Sequence, residues 1–252
     1  MFDRRIAEVL MAKGWEFFRS PRQLVAFTGN HEADLVLNDL DRTPHAYVIA
    51  CVMDRQVKAE LAWLVPYRLS SRLGGFEFER LRPLSLEDVT RLMGEPEPLH
   101  RFPVIMAAHL HAAIRTIQRE YEGNAARIWD NRPPSALVVY RFLQFQGVGP
   151  KIATMAANIL ARDLKVPMAD YYSIDVSVDV HVRRVFSRLG LVPPDAPAEE
   201  FVYAARAISA EFPGLLDLPC WQIGRQWCRP QSPNCDECYM NPVCPCSKIG
   251  SG

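Results

Sequence analysis

Apolar positions recur at helical spacing along most of this chain. Over residues 3–18, Ile6, Val9, Leu10 and Trp15 share one side of a helical repeat, which predicts an amphipathic helix. Thr43-Pro44 opens a strong helix to about Asp54, with Tyr47, Val48, Ala50, Cys51 and Val52 apolar. Pro44 suits its first turn, where a missing N–H deprives no carbonyl of a partner. Cys51 falls on the apolar face and reads as a buried thiol. Another helix is expected over 59–73. Shorter ones follow to 134, with Ser85 as an N-cap ahead of Glu87 and Asp88. Residues 105–121 predict a long amphipathic helix carrying His109 and His111, whose spacing puts them on different faces and makes a poor metal pair. Residues 180–189 and 199–211 read the same way. Residues 19–43 are poorly periodic, and the run Leu35-Val36-Leu37 finds no place. The expected fold class is all-α.

The stretch 142–182 carries the chemistry. A helix ending near Phe145 leads into Gln146-Gly147-Val148-Gly149, and a second helix opens at Pro150-Lys151. Two glycines let the backbone take positive φ and present bare N–H groups. A glycine turn feeding a helix N-terminus attracts anions, and a phosphodiester is the obvious one. Ile152, Met155, Ala156 and Ile159 give the second helix a buried face. Farther on, Asp179 stands in Ser-Val-Asp-Val-His-Val ahead of the basic helix of Arg183, Arg184 and Arg188. A lone Gly-Val-Gly is a common interhelix turn. One lysine and one carboxylate near it make a candidate catalytic pair.

Gly-Val-Gly-Pro-Lys-Ile-Ala followed by Val-Asp-Val-His-Val resembles the helix-hairpin-helix DNA glycosylase superfamily, the endonuclease III and 8-oxoguanine glycosylase group. The resemblance implies that Lys151 attacks the sugar and that Asp179 supports the chemistry. It also implies that Gln56, at the end of the helix that Pro44 opens, fills the gap left by a flipped base; a solvated helix-end glutamine is the plain alternative. The separation of Lys151 from Asp179 exceeds the family pattern by about ten residues on motif alignment. The extra segment is 165–174, with Tyr171 and Tyr172. Asp175 is a rival acid, but only Asp179 is followed by x-His-hydrophobic.

Near the C-terminus, Cys228, Cys235, Cys238 and Cys244 crowd a loop-like segment rich in Pro and Asn. Where thiols stay reduced, such crowding points to a metal, and all-thiolate ligation suits zinc or an iron–sulfur cluster. The spacing is similar to the iron–sulfur loop of endonuclease III and its adenine-glycosylase relative, which implies a [4Fe–4S] cluster. Cys220 and Cys246 fall outside the pattern.

With 252 residues, 49% of them hydrophobic, the chain can build one large domain or two small ones. Lys and Arg number 29, as do Asp and Glu, so total charge gives no nucleic-acid signal and counts mildly against one. Between Arg141 and Arg188, however, seven basic residues face four acidic ones. No long apolar run or signal-peptide pattern is present, which predicts an intracellular protein, cytoplasmic or nucleoid in a prokaryote. The expected molecule is a two-lobed helix-hairpin-helix glycosylase fold. One lobe is a bundle over 36–164. The other joins 1–35 to 165–252 and holds the cluster loop 228–244. The resemblance implies a monomeric base-excision-repair enzyme, with no membrane association. The resemblance also implies that it acts on double-stranded DNA containing a damaged or mismatched base, with lyase activity. Gly147, Val148, Gly149, His181, Arg183 and Arg184 are expected at the DNA together with Gln56. A monofunctional glycosylase for mismatched or deaminated bases, and a non-catalytic iron–sulfur DNA-binding protein, are the alternatives.

Overall fold

The computed structural model describes residues 3–248, and among these every regular element is helical. The chain forms two compact units. One is drawn from Met1–Pro21, Pro134–Val139 and Ala157–Gly252, the other from Arg22–Pro133 and Tyr140–Ala156. Among the described residues no helix is long and apolar enough to cross a membrane.

Helix α1 (Arg4–Arg19) starts where Asp3 accepts a hydrogen bond from the Arg5 N–H, and it buries Ile6 and Leu10. The aperiodic stretch after it contains a short helix, α2 (His31–Asn38), capped by the Asn30 side chain on the Ala33 N–H. Leu37 is buried and Leu35 exposed, which places the apolar run. Polar groups hold the rest: Asp34 accepts from Thr28, and the Asn38 amide bonds both backbone groups of Val25.

Helix α3 (Pro44–Met53) is the centre of the second unit. All ten of its residues are buried, as suits a helix that is apolar all round. Tyr47 donates from its hydroxyl to the Ala156 carbonyl at 2.8 Å. The helix expected over 59–73 is two: α4 (Ala59–Trp63) and α5 (Val65–Leu73). Pro66 in the first turn of α5 cannot donate back to the preceding turn, so the chain breaks there. Around α3 follow α6 (Phe78–Leu81), α7 (Leu86–Gly94) and α8 (Pro103–Glu120). Ser85 and Asp88 form a reciprocal capping box on α7.

The hairpin helices are α9 (Ser135–Leu143) and α10 (Pro150–Arg162), and each contributes residues to both units. Ser135 donates its hydroxyl to Asp170 at 2.5 Å and accepts the Ser173 N–H at 3.1 Å. Helices α11 (Val180–Arg188), α12 (Ala198–Ile208) and α13 (Asp217–Gln226) complete the first unit. Its core joins Leu10 to Val182, Phe186, Phe201, Leu216 and Ile223. The segment 165–174 docks on α1. Tyr171 stacks on Phe212 at 4.9 Å and meets Phe18 edge-on, and Lys165 donates to the Phe18 carbonyl at 2.6 Å.

Candidate nucleic-acid interface and active site

The hairpin is a tight turn built mostly as its residues dictate. Val148 donates to the Phe145 carbonyl at 3.0 Å and buries its side chain, so its N–H closes the turn. Gly147 takes φ +86°. A side chain there would also overlap the Arg55 guanidinium, 2.3 Å from the added Cβ, and crowd His109. Gly149 differs from the expectation. Its φ is not left-handed, and a Cβ at Gly149 would meet nothing within 4 Å. Among the described residues, no acceptor is met by the backbone N–H of Gly149 or Lys151. Donors left open at a helix N-terminus bind anions.

Lys151 lies on the first turn of α10 with its side chain 44% exposed, and its Nζ is 3.5 Å from Asp54 Oδ2. Asp54, the residue after α3, is itself only 9% exposed. Gln56 is exposed and takes φ +53°, in the bend just past α3. Beside the turn, Arg55 Nη1 approaches His109 Nε2 at 3.4 Å. Burial, and secondarily Arg55, pushes the His109 imidazole towards its neutral form. Its Nδ1 is buried without a hydrogen-bond partner.

In the first unit Asp179 is the N-cap of α11. Its Oδ1 accepts both the His181 and Val182 N–H groups at 2.8 Å. Among the described residues none donates to Oδ2. Asp175, the rival, is clamped by Arg206 through two bonds of 2.8 and 2.9 Å. The basic helix points much of its charge inward. Arg184 donates to the Cys228, Gly224 and Val180 carbonyls and meets His181 Nδ1. Arg183 donates to the Ala196 carbonyl, and Arg188 to those of Arg229 and Pro230. Any phosphate contact from these side chains must come from donors that those bonds leave over.

Cys228, Cys235, Cys238 and Cys244 line a single small cavity of about 30 Å³, partly open to solvent, walled by Val185, Leu189, Ile223, Trp227 and Met240. Arg188 Nη1 reaches Cys228 Sγ at 3.4 Å. Burial, then the charge of Cys244 and Cys228, pushes the Cys235 thiol up, so four thiolates here call for a cation among them. Among the described residues no three Cys, His, Asp or Glu side chains converge so as to hold a single metal ion. Cys220 is fully buried in the core and Cys246 is exposed.

No family model matches the chain. Endonuclease III of Thermotoga maritima is 29% identical over 116 residues, 46% of this chain and 49% of that protein. Endonuclease III-like protein 1 of Gallus gallus is 29% identical over 112 residues, 44% of this chain and 37% of that one. The match thus spans about half or less of these curated relatives. Among solved structures, an endonuclease III trapped as a covalent DNA intermediate has a TM-score of 0.65 at 19% identity, covering 99% of both chains. A thermostable thymine-DNA glycosylase has 0.64 at 14%, covering 97% of this chain and 98% of its own.

The chain has the fold of endonuclease III.

The chain carries one further buried acid that periodicity does not reveal. Asp217 opens α13 and accepts the Ser177 N–H at 2.6 Å, while Asp179 donates its own N–H to the Ser177 carbonyl at 2.6 Å. Burial lifts the Asp217 carboxyl to about 6, opposed by Arg162 and by the Ser177 bond and reinforced by Asp179. The folded protein therefore holds this proton at a pH where the unfolded chain has lost it. Stability from this group is present below about pH 4 and falls as pH rises to about 6, by a few kcal/mol at about 1.4 kcal/mol per pH unit. Asp217→Asn keeps an acceptor for Ser177 and removes the charge. It is expected to raise the melting temperature at pH 7.5 and to leave it unchanged at pH 4, measured by thermal denaturation across pH.

Proposed function

We propose that the chain is a base-excision-repair DNA glycosylase with strand-cleaving lyase activity. It takes a damaged or mismatched nucleotide out of duplex DNA, and Lys151 attacks C1′. The observation that carries this reading is the open end of α10. There the unmatched N–H groups of Gly149 and Lys151 lie beside a half-exposed amine. A phosphate held by those N–H groups positions the sugar, and the target must leave the stack before its C1′ is reachable. The neutral amine displaces the base and forms a Schiff base, which permits strand cleavage by elimination. Asp179 is assigned to support the chemistry: it caps α11 through Oδ1, which leaves Oδ2 available to stabilise positive charge. Gln56 is assigned to the gap left by the turned-out base, and its exposure past α3 suits that role.

Cys228, Cys235, Cys238 and Cys244 are assigned to a [4Fe–4S] cluster. Four sulfurs spread around one cavity fit a polynuclear centre better than a single zinc. The cluster's part is to cross-link the C-terminal loop to the α11–α13 core, against which Cys228, Cys238 and Cys244 pack.

The glycine pair tests the DNA-binding half of the proposal. Gly149→Val is expected to fold normally, since its Cβ meets nothing within 4 Å. It should raise the Kd for all duplexes alike by roughly tenfold or more, the loss of a charge-assisted hydrogen bond. Gly147→Ala should instead destabilise the protein by about 1–2 kcal/mol, because its φ is left-handed. Unchanged DNA affinity in Gly149→Val, measured by fluorescence anisotropy, would remove the hairpin from the interface.

A further inference from the structure

We infer that Asp54 is a second acid of the reaction: it takes the proton from the Lys151 ammonium and returns it to the oxygen that leaves C1′. The inference rests on the reading of Lys151 as nucleophile. Three observations carry it. Asp54 Oδ2 lies 3.5 Å from Lys151 Nζ, and both residues belong to the same compact unit. The Asp54 side chain is only 9% exposed, whereas Lys151 is 44% exposed, so the acid sits behind the amine rather than in front of it. Asp54 also closes the C-terminal end of α3, its N–H donating to the Cys51 carbonyl at 3.2 Å. That position is poor for a carboxylate, because the dipole of α3 presents its negative end there. Glycine or asparagine would close the helix better. An amine that must shed a proton gives an acid at this helix end a use.

The chemistry balances on an abasic site in its open aldehyde form. The Lys151 ammonium passes one proton to the Asp54 carboxylate, and the neutral amine adds to C1′. The carbonyl π pair moves to oxygen, which takes the proton back from Asp54. The resulting carbinolamine loses water. That water carries the aldehyde oxygen and two of the three ammonium protons, and the iminium keeps the third. Asp54 ends as the carboxylate it began as. No redox partner is needed. Charged or titratable groups near the pair include Cys51 on α3, Arg55 after it, and His100 and His109 next to Arg55. Burial holds both histidines towards neutrality and the Cys51 thiol protonated, so none of the three competes for the proton at neutral pH.

The test is single-turnover borohydride trapping on a duplex bearing one aldehydic abasic site, with Lys151→Gln as the background. Asp54→Asn should trap about 10²-fold more slowly than the wild type at pH 7. The deficit should shrink steadily as pH rises towards 10, because hydroxide then removes the proton. Asp54→Glu keeps a carboxylate and should show a smaller deficit that does not change with pH. Affinity for a duplex with a reduced, unreactive abasic analogue should be unchanged in all three proteins. If Asp54→Asn does not fold, as judged by circular dichroism, Asp54→Ser takes its place with the same expected outcomes. Trapping at the wild-type rate, or a deficit equal at every pH, would make Asp54 a strut for Lys151 and overturn the inference alone. Wild-type protein that traps no faster than Lys151→Gln would overturn the nucleophile assignment, and this inference with it.

Discussion

Purified protein is expected to be brown, with iron and acid-labile sulfide each near four atoms per chain. Cys235→Ala is expected to be colourless and largely insoluble. The reason lies in how little else holds the loop. Between Cys228 and Lys248 the regular structure is one short 3₁₀ turn, Pro245–Lys248, and Met240 is the one fully buried residue among those described there. Short backbone bonds, such as Cys238 N–H to the Cys235 carbonyl at 3.0 Å, shape the loop without anchoring it. The four cysteines line a common cavity against α11 and α13, and Arg184 and Arg188 tie the Cys228 region to α11. Metal–thiolate coordination contributes on the order of 10 kcal/mol in small metal-folded domains. A whole domain is stable by about 5–15 kcal/mol. Losing one ligand should therefore unfold the loop and expose the apolar surface under it. Metal analysis with an absorption spectrum is the measurement. Colourless protein with one zinc per chain would replace the cluster with a structural zinc site.

The elements that could be read in advance are those whose side chains interact with near neighbours in sequence. The first helix, the buried α3, the capping box at Ser85 and the turn around Gly147 all announce themselves within a few residues. So does the meeting of Cys228, Cys235, Cys238 and Cys244 at one cavity, because all four lie close together in sequence. Helix α2 was not legible, since one buried leucine and a few polar bonds support it. The break at Pro66 needed the proline to outweigh a continuous helical pattern. Gly149 reads like Gly147 in sequence, yet only Gly147 needs a left-handed backbone. The arginines of α11 read as a basic helix, but the carbonyls near Cys228 that draw them inward lie far along the chain. Asp54 and Asp217 were invisible for a different reason. Each matters through a partner far away in the chain, Lys151 and Ser177, and no local pattern reports such a pairing.

Lys151→Gln is expected to abolish covalent attachment to DNA, by at least about 10³-fold, the scale on which removal of a catalytic nucleophile falls. Binding should be retained. The hairpin donors are backbone N–H groups of Gly149 and Lys151, which the substitution leaves in place, and glutamine is accepted in a first helical turn. The loss should be one of chemistry, with affinity for unreactive duplex within a few-fold of the wild type. A lysine that only pairs with phosphate gives the opposite pattern, weaker binding and no adduct even in the wild type. The measurement that tests the central claim most directly is borohydride trapping on duplexes carrying single oxidised, deaminated or mismatched bases, run beside a plain abasic duplex. The account predicts a DNA-shifted protein band with at least one lesion duplex, absent in Lys151→Gln. Base release that leaves an intact abasic strand and no band would contradict it, and would make the chain a monofunctional glycosylase that uses water in place of Lys151.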